Sequence, residues 1–139
     1  MILIDTNIIS ELWREKPSSG VSHWLQAQDS TGVFISAITL AEIQFGIAKL
    51  PVSIRRSNLV VAVTRLEQET FSGQVLPFDN RCAAPFGLVR ASREQMRHPI
   101  SFPDAAIAAT ALTHGLTLAT RNIRDFDGLD LMLVNPFEA

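Results

Sequence analysis

Residues 104–120 read DAAIAATALTHGLTLAT, and this stretch indicates the fold class. Its first part, Asp104 to His114, is rich in alanine and predicts a helix, which Gly115 ends as a helix C-terminal cap. The apolar run from Leu116 to Ala119 follows at once and is typical of a buried strand. A helix that leads directly into a buried strand predicts an α/β protein with a parallel sheet.

The rest of the chain repeats this alternation of short apolar runs and longer segments with helical spacing. The predicted strands are Ile2–Ile4, Val33–Ile35, Val75–Phe78, Leu116–Ala119 and Leu131–Val134. The predicted helices are Thr6–Trp13, the stripe Leu40, Ile43, Ile47 and Leu50 that Pro51 ends, the stripe Leu59, Val63, Leu66 and Thr70, Asn80–Gln95, and Asp104–His114. This order predicts helices on both faces of a parallel sheet of about five strands.

The composition predicts a single domain spanning residues 1–139. No apolar run approaches the roughly 20 residues that cross a bilayer, and the first residues lack the features of a secretory signal, so we expect a cytoplasmic protein.

Hydrophobic residues make up 47% of the chain and the mean hydropathy is +0.18, which suggests that some apolar surface, with Trp13 and Trp24 as exposed candidates, is buried against a partner. The single cysteine, Cys82, excludes an internal disulfide and a cysteine-based zinc cluster.

The overall charge gives no sign of a nucleic-acid binder. The net charge is −2 at pH 7, so any contact with a polyanion must be local. Two groups of arginines are relevant. Arg90, Arg93 and Arg97 share one helical face, for which a solvated surface is expected, whereas Arg121 and Arg124 flank acidic residues and are candidates for phosphate contacts.

Four acidic residues stand at the ends of predicted elements. Asp5 ends the first strand, Glu42 opens the helix after the second strand, Asp104 opens the helix before the fourth strand, and Asp125 follows the fourth strand. Ligands of parallel α/β sheets bind at the carboxyl ends of the strands, so these side chains are predicted to converge there. Clustered Asp and Glu without His or Cys suit Mg²⁺, which prefers oxygen ligands.

Each of these acids also has a structural explanation. Asp5 is a candidate N-cap for the first helix. The segments Thr39–Glu42 and Ser101–Asp104 both have the form of a capping box. Asp125 lies in a polar loop, where a solvated surface acid is expected. From the residues alone, a metal site and a set of separate caps both remain open.

Motifs along essentially the whole chain carry a resemblance to a known family. They are MILIDTN at residues 1–7, SAITLAE at 36–42, PDAAIAA at 103–109 and ATRNIRDF at 119–126. In this order and spacing they closely resemble the motifs of PIN-domain nucleases. LPFD at residues 76–79 and NPF at 135–137 resemble the VapC and FitB subgroup, toxins of bacterial type II toxin–antitoxin pairs.

The resemblance implies a three-layer α/β/α sandwich in which Asp5, Glu42 and Asp104 coordinate Mg²⁺ or Mn²⁺. Where many relatives place a fourth aspartate, this chain has Asn122, and an acid follows three positions later as Asp125. We predict that Asp125, rather than Asn122, completes the acidic cluster.

Further residues are implied to support these carboxylates. Thr6, Asn7 and Thr120, with Asn122, match motif positions that hydrogen-bond the acids, although satisfying the backbone at the strand ends explains them as well.

The function that the resemblance implies is a metal-dependent endoribonuclease acting as a toxin. The implied partners are an antitoxin protein, an RNA substrate that includes transfer RNA among its candidates, and a second copy of the chain within a larger toxin–antitoxin assembly. The alternative is a non-catalytic PIN-like module that binds a partner or nucleic acid. A phosphatase using Asp5 as nucleophile is disfavoured because Asn7 stands where such enzymes usually carry a second acid.

Overall fold

The computed structural model describes residues 1–138 and contains a parallel sheet of five strands. The strands are β1 (Ile2–Ile4), β2 (Val33–Ser36), β3 (Val75–Leu76), β4 (Thr117–Ala119) and β5 (Leu133–Val134). Their order across the sheet is β3-β2-β1-β4-β5, and each neighbouring pair is parallel. The first strand is therefore the central one, and the residue that follows it emerges in the middle of the sheet edge.

Pairs of helices connect the first four strands in chain order. They are α1 (Thr6–Leu12), α2 (Ser19–Gln26), α3 (Ala37–Ala48), α4 (Ile54–Arg65), α5 (Ala83–Gln95) and α6 (Phe102–His114). Helix α6 ends as predicted, because Gly115 adopts the left-handed conformation with φ of 64°. A short 3₁₀ turn at Ile123–Phe126, called here the Asp125 turn, follows β4.

Two hydrophobic cores lie on opposite faces of the sheet. Successive residues of β1 point to opposite sides, so Ile4 belongs to a core formed with α1, α2, α3 and α4. Leu3 belongs to the other core, formed with α5 and α6 and closed by Phe126 of the Asp125 turn. The predicted three-layer α/β/α arrangement is confirmed.

Some predicted element boundaries were wrong. The third strand ends at Leu76 rather than Phe78, since Pro77 has no backbone N–H to continue a ladder. The fifth strand begins at Leu133, because the Leu131 N–H is used in a turn to the carbonyl of Leu129, at 2.8 Å. The helix predicted from Asn80 is divided into a 3₁₀ turn at Asn80–Cys82 and α5.

The prediction that Trp13 and Trp24 are exposed was also wrong. Both side chains are half-buried and pack against the core beneath α1 to α4. Among the described residues, no helix combines the length and the apolar character that crossing a membrane requires.

Candidate active site

The side chain of Asp5 lies at the carboxyl end of the central strand and is almost completely buried, with 4% exposed. Its Oδ1 accepts a hydrogen bond from the Thr6 backbone N–H at 2.7 Å. Its Oδ2 accepts from the Thr120 hydroxyl at 2.8 Å and from the Asn7 amide at 3.2 Å. Asp5 therefore caps α1, as one explanation predicted, while three neighbours fix the direction of its carboxylate.

Glu42 is directed toward the same region by a different contact. The Thr6 hydroxyl lies 2.7 Å from Glu42 Oε1 and 3.1 Å from the Thr39 hydroxyl oxygen. Thr6 thus lies between Asp5 and Glu42, with its backbone bonded to one carboxylate and its side chain to the other.

The capping box predicted at Thr39–Glu42 is wrong. Helix α3 begins at Ala37, and its N-cap is Ser36, whose hydroxyl accepts from the Ile38 N–H at 2.9 Å. The strand ends on a serine that is itself a good cap, so the helix starts earlier and Thr39 is buried within it. Glu42 consequently lies inside α3 rather than opening it, and capping does not account for its position.

Asp104 lies in the first turn of α6, as predicted, and is half-buried. The N-cap is Ser101, whose hydroxyl accepts from the Asp104 N–H at 3.3 Å. Capping by Ser101 is confirmed here, and Pro103 occupies the first turn. This cap fixes the backbone of Asp104 at the end of α6 that faces the acids.

The ionisation of Asp5 and Asp104 shows that the acids are close enough to interact. Burial raises the pKa of the Asp5 carboxyl to about 6, and the charges of Asp104 and Glu42 add to the rise, while the bonds from Thr120 and Thr6 oppose it. Burial also raises the pKa of Asp104; the Ser101 hydroxyl opposes this, and the charges of Asp125 and Glu42 reinforce it. All four predicted acids therefore share one electrostatic environment.

Asp125 occupies the edge of this cluster. Its neighbour Phe126 is buried as an anchor, with 1% exposed, whereas Asp125 itself is exposed. The Asn122 N–H donates to the Thr120 hydroxyl oxygen at 3.1 Å, so Asn122 helps to place a group that bonds Asp5. The structure brings Asp125 within electrostatic reach of Asp104 but leaves it facing solvent.

The four acids form a region of uncompensated negative charge. Ion pairs within residues 1–138 use other carboxylates, those of Glu11, Asp79 and Glu94. In the same part of the chain, no three His, Cys, Asp or Glu side chains lie close enough to form a ready-made metal site. The carboxylates of the four acids, which offer only oxygen ligands and are not closely packed, suit a hydrated Mg²⁺, because this ion usually keeps several waters and uses one or two carboxylates. They do not suit an ion that needs a closed protein cage.

Arg93 has a role that the sequence pattern did not reveal. The prediction of a solvated face for Arg90, Arg93 and Arg97 is wrong for Arg93, which is buried with 7% exposed. Its Nη1 donates to the carbonyl of Asp127 at 2.7 Å and to that of Arg124 at 3.4 Å. Arg93 therefore ties α5 to the Asp125 turn. Its spacing from Val89 and Phe86, four and seven positions earlier, was the signal that it lies on the buried face.

The two candidate phosphate ligands lie beside the acids. The Arg121 N–H donates to Asn7 Oδ1 at 3.3 Å, and its guanidinium group lies 4.5 Å from the centre of the Phe137 ring. Arg124 is exposed on the Asp125 turn. Both positions leave a guanidinium group at the rim of the acidic region.

The raised pKa of Asp5 predicts a specific pH dependence of stability without metal. Because the folded pKa of about 6 lies above the ordinary 3.8, the folded chain holds this proton more tightly. The contribution of Asp5 to stability is complete below pH 3.8 and is lost as the pH rises to about 6. The loss is on the order of 3 kcal/mol.

This dependence is measured by thermal unfolding in EDTA from pH 4 to pH 7, comparing the unmodified chain with Asp5→Asn. The decline should be smaller in the variant. Identical pH profiles would contradict the assignment of a desolvated carboxylate to Asp5.

Comparison with sequence families and curated proteins gives consistent matches. The model of the PIN domain matches residues 2–130. VapC ribonuclease Y4jK of Sinorhizobium fredii is 39% identical over 141 aligned positions, with 99% of each chain covered. Toxin FitB of Neisseria gonorrhoeae is 40% identical over 140 positions, again with 99% of each chain covered.

Solved structures match over the full length as well. The crystal structure of FitAcB from Neisseria gonorrhoeae matches with a TM-score of 0.88 at 39% identity, covering 100% of both chains. A toxin–antitoxin complex from Klebsiella pneumoniae matches with a TM-score of 0.70 at 29% identity, covering 98% of both chains.

Proposed function

The chain belongs to the PIN-domain family, and on that premise we propose that it is a Mg²⁺-dependent endoribonuclease, the toxin of a type II toxin–antitoxin pair. The observation that carries the proposal is the uncompensated carboxylate of Asp5, buried at the end of the central strand beside Glu42 and Asp104. The relatives named as ribonuclease and toxin support the activity.

The four acids of the site would take part in RNA hydrolysis by binding a divalent cation. Asp5, Asp104 and Glu42 would hold the cation, and Mn²⁺ is the alternative to Mg²⁺. A bound divalent ion neutralises the phosphate and makes water a stronger nucleophile at neutral pH. Asp125, at the exposed edge, would complete the set of acids on the side where substrate enters.

Neighbouring groups keep the carboxylates in place. Thr6 contacts both Asp5 and Glu42, and Thr120 with Asn7 orients the second oxygen of Asp5. Such outer contacts fix the orientation of ligands before the substrate arrives. Arg121 and Arg124 at the rim would bind the RNA phosphates on either side of the reacting one.

The proposed partner is an antitoxin protein that blocks this site. The toxin–antitoxin complex among the solved relatives supports it. We also propose a homodimer in the cytoplasm, with transfer RNA as one candidate substrate.

The activity is tested by incubating RNA with the purified chain, free of antitoxin, in Mg²⁺ and sequencing the new 5′ ends. Internal cleavage at discrete positions, suppressed by adding the cognate antitoxin, is expected. RNA that is bound but left intact would identify a non-catalytic PIN-like module instead.

Metal binding is expected to stabilise the folded chain, because the cation would bind the acid cluster only when it is assembled. At a concentration 100 times the dissociation constant, the gain is about 2.7 kcal/mol. Thermal unfolding with and without Mn²⁺ measures it, and Asp104→Asn should reduce the gain. An identical gain in this variant would contradict the assignment of Asp104 as a ligand.

A further inference from the structure

Two neighbouring cavities lie along helix α1. The larger, about 770 Å³, lies between α1 and α4 and is lined by residues that include Trp13, Arg14 and Arg55. The smaller, about 250 Å³, is lined by residues that include Asn7 and Arg121. Ser10 and Arg14 line both, so the two cavities are neighbours and are treated together as one groove. We call it the α1 groove.

The α1 groove begins at the proposed active site. Asn7, at its near end, bonds the Asp5 carboxylate at 3.2 Å. Asn7 and Ser10 follow one another at helical spacing on the same face of α1, and Arg14 lies two residues beyond the end of this helix. At 1.5 Å per residue, Leu12 at the end of α1 lies about 8 Å along the helix from Asn7, and Arg14 lies beyond it. A ligand that reaches both the acids and Arg14 must therefore be longer than a single phosphate group.

Three guanidinium groups line the groove from end to end. Arg121 lies over the Phe137 ring at the near end, and Arg55 stands at the far end. Between them, Arg14 is held by the buried carboxylate of Glu11 at 3.3 Å while 65% of its own side chain stays exposed. The carboxylates of Glu11 in the near part and Glu15 in the far part also line the groove, so its positive charges exceed its negative ones by one. Spaced guanidinium groups suit the repeated phosphates of a nucleic-acid strand.

Trp13 adds a second feature that suits RNA. Its half-buried ring packs against the core on one side and lines the groove on the other. A ring fixed in this way provides a stacking surface for an unpaired base at little cost in side-chain entropy.

We propose that the α1 groove binds the RNA strand on one side of the scissile phosphate. Arg121, Arg14 and Arg55 contact successive stretches of its backbone, and Trp13 stacks on a base. This inference rests on the proposed ribonuclease function, because it takes the acids as the point where the strand is cut.

The test measures RNA binding in the Asp5→Asn background, so that its result does not depend on cleavage. A labelled single-stranded oligoribonucleotide is titrated at several salt concentrations in the absence of antitoxin. Arg55→Ala should weaken binding and reduce the slope of log K against log salt by about 0.7, the value for one lost phosphate contact on a single strand. Arg90→Ala on α5 removes an equal charge from the opposite layer and should leave the slope unchanged.

Folding does not confound this comparison. Arg55 lies in the first turn of α4, where a cation is unfavourable for the helix dipole, so its removal should not destabilise the chain. The melting temperature of each variant verifies this.

A second readout uses the two tryptophans of the chain. With Trp24→Phe, Trp13 is the only indole, and RNA should quench its fluorescence by stacking.

An unchanged salt slope in Arg55→Ala overturns the proposal, as does Trp13 fluorescence that RNA leaves unaltered. Loss of antitoxin binding in Arg55→Ala with RNA binding intact would also overturn it and assign the groove to the protein partner. If RNA binding depends on the groove but the unmodified chain cuts no RNA, the groove stands and the ribonuclease function fails.

Discussion

Asp5→Asn is expected to lower the rate of Mg²⁺-dependent RNA cleavage by about 100-fold or more, roughly 2.7 kcal/mol of activation barrier. The substitution removes the charge of the most buried acid of the cluster and preserves its shape. Asparagine is as good an N-cap as aspartate, so the hydrogen bond from the Thr6 N–H is retained and the fold should remain intact, although the amide NH2 cannot accept the bonds that Asp5 Oδ2 accepts from Thr120 and Asn7. The measurement is a cleavage time course with protein prepared free of the unmodified chain.

Stability distinguishes catalysis from capping at this position. In EDTA, Asp5→Asn should unfold at the same or a higher temperature, since it relieves the burial of an uncompensated carboxylate. Asp5→Ala, which also loses the cap, should be less stable than Asp5→Asn by about 1 kcal/mol. Asp104→Asn should lose activity to a similar extent. Full Mg²⁺-dependent cleavage by both asparagine variants would reject the site.

Asp125→Asn is likewise expected to reduce cleavage by about 100-fold, roughly 2.7 kcal/mol. The charge of Asp125 reaches Asp104, and a fourth carboxylate would allow two divalent cations to be neutralised before phosphate arrives. The cleavage rate is measured across a Mg²⁺ titration. If Asp125→Asn weakens metal binding, its rate should recover partly at high Mg²⁺ concentration.

Asn122→Ala is the matched control for this prediction. The contact of Asn122 with Thr120 uses its backbone N–H, which alanine retains. Its rate should therefore remain near that of the unmodified chain. A near-normal rate in Asp125→Asn would leave a site of three carboxylates, with Asp125 as a surface acid beside the buried Phe126.

The convergence of the acids was predictable because it depends on topology. An apolar strand followed by Asp5 and an alanine-rich helix opened by Asp104 both have strong local signals. The parallel order then brings the strand ends to one edge. The support of Asp5 by Thr120 follows from the pairing of β1 with β4 and was anticipated only through family motifs.

The start of α3 and the burial of Arg93 could not be predicted from local sequence patterns. Ser36 and Thr39 are both good helix caps, and the capping-box pattern favours Thr39, whereas α3 follows directly from the end of β2 and is capped by Ser36. Arg93 looked like a surface residue because charged side chains are rarely buried. Its two carbonyl partners lie more than thirty positions later in the chain, which no local pattern reveals.

The most direct test of the metal-dependent site is cleavage of one defined RNA by a single preparation of the chain, first stripped with EDTA and then returned to Mg²⁺. The expected result is intact RNA in EDTA, discrete internal cuts when Mg²⁺ or Mn²⁺ is restored, and cleavage by Asp5→Asn that is about 100-fold or more slower after the metal is restored. Equal cleavage in EDTA and in Mg²⁺, with the same cuts made by Asp5→Asn, would contradict the assignment of Asp5, Glu42 and Asp104 as the centre of the reaction.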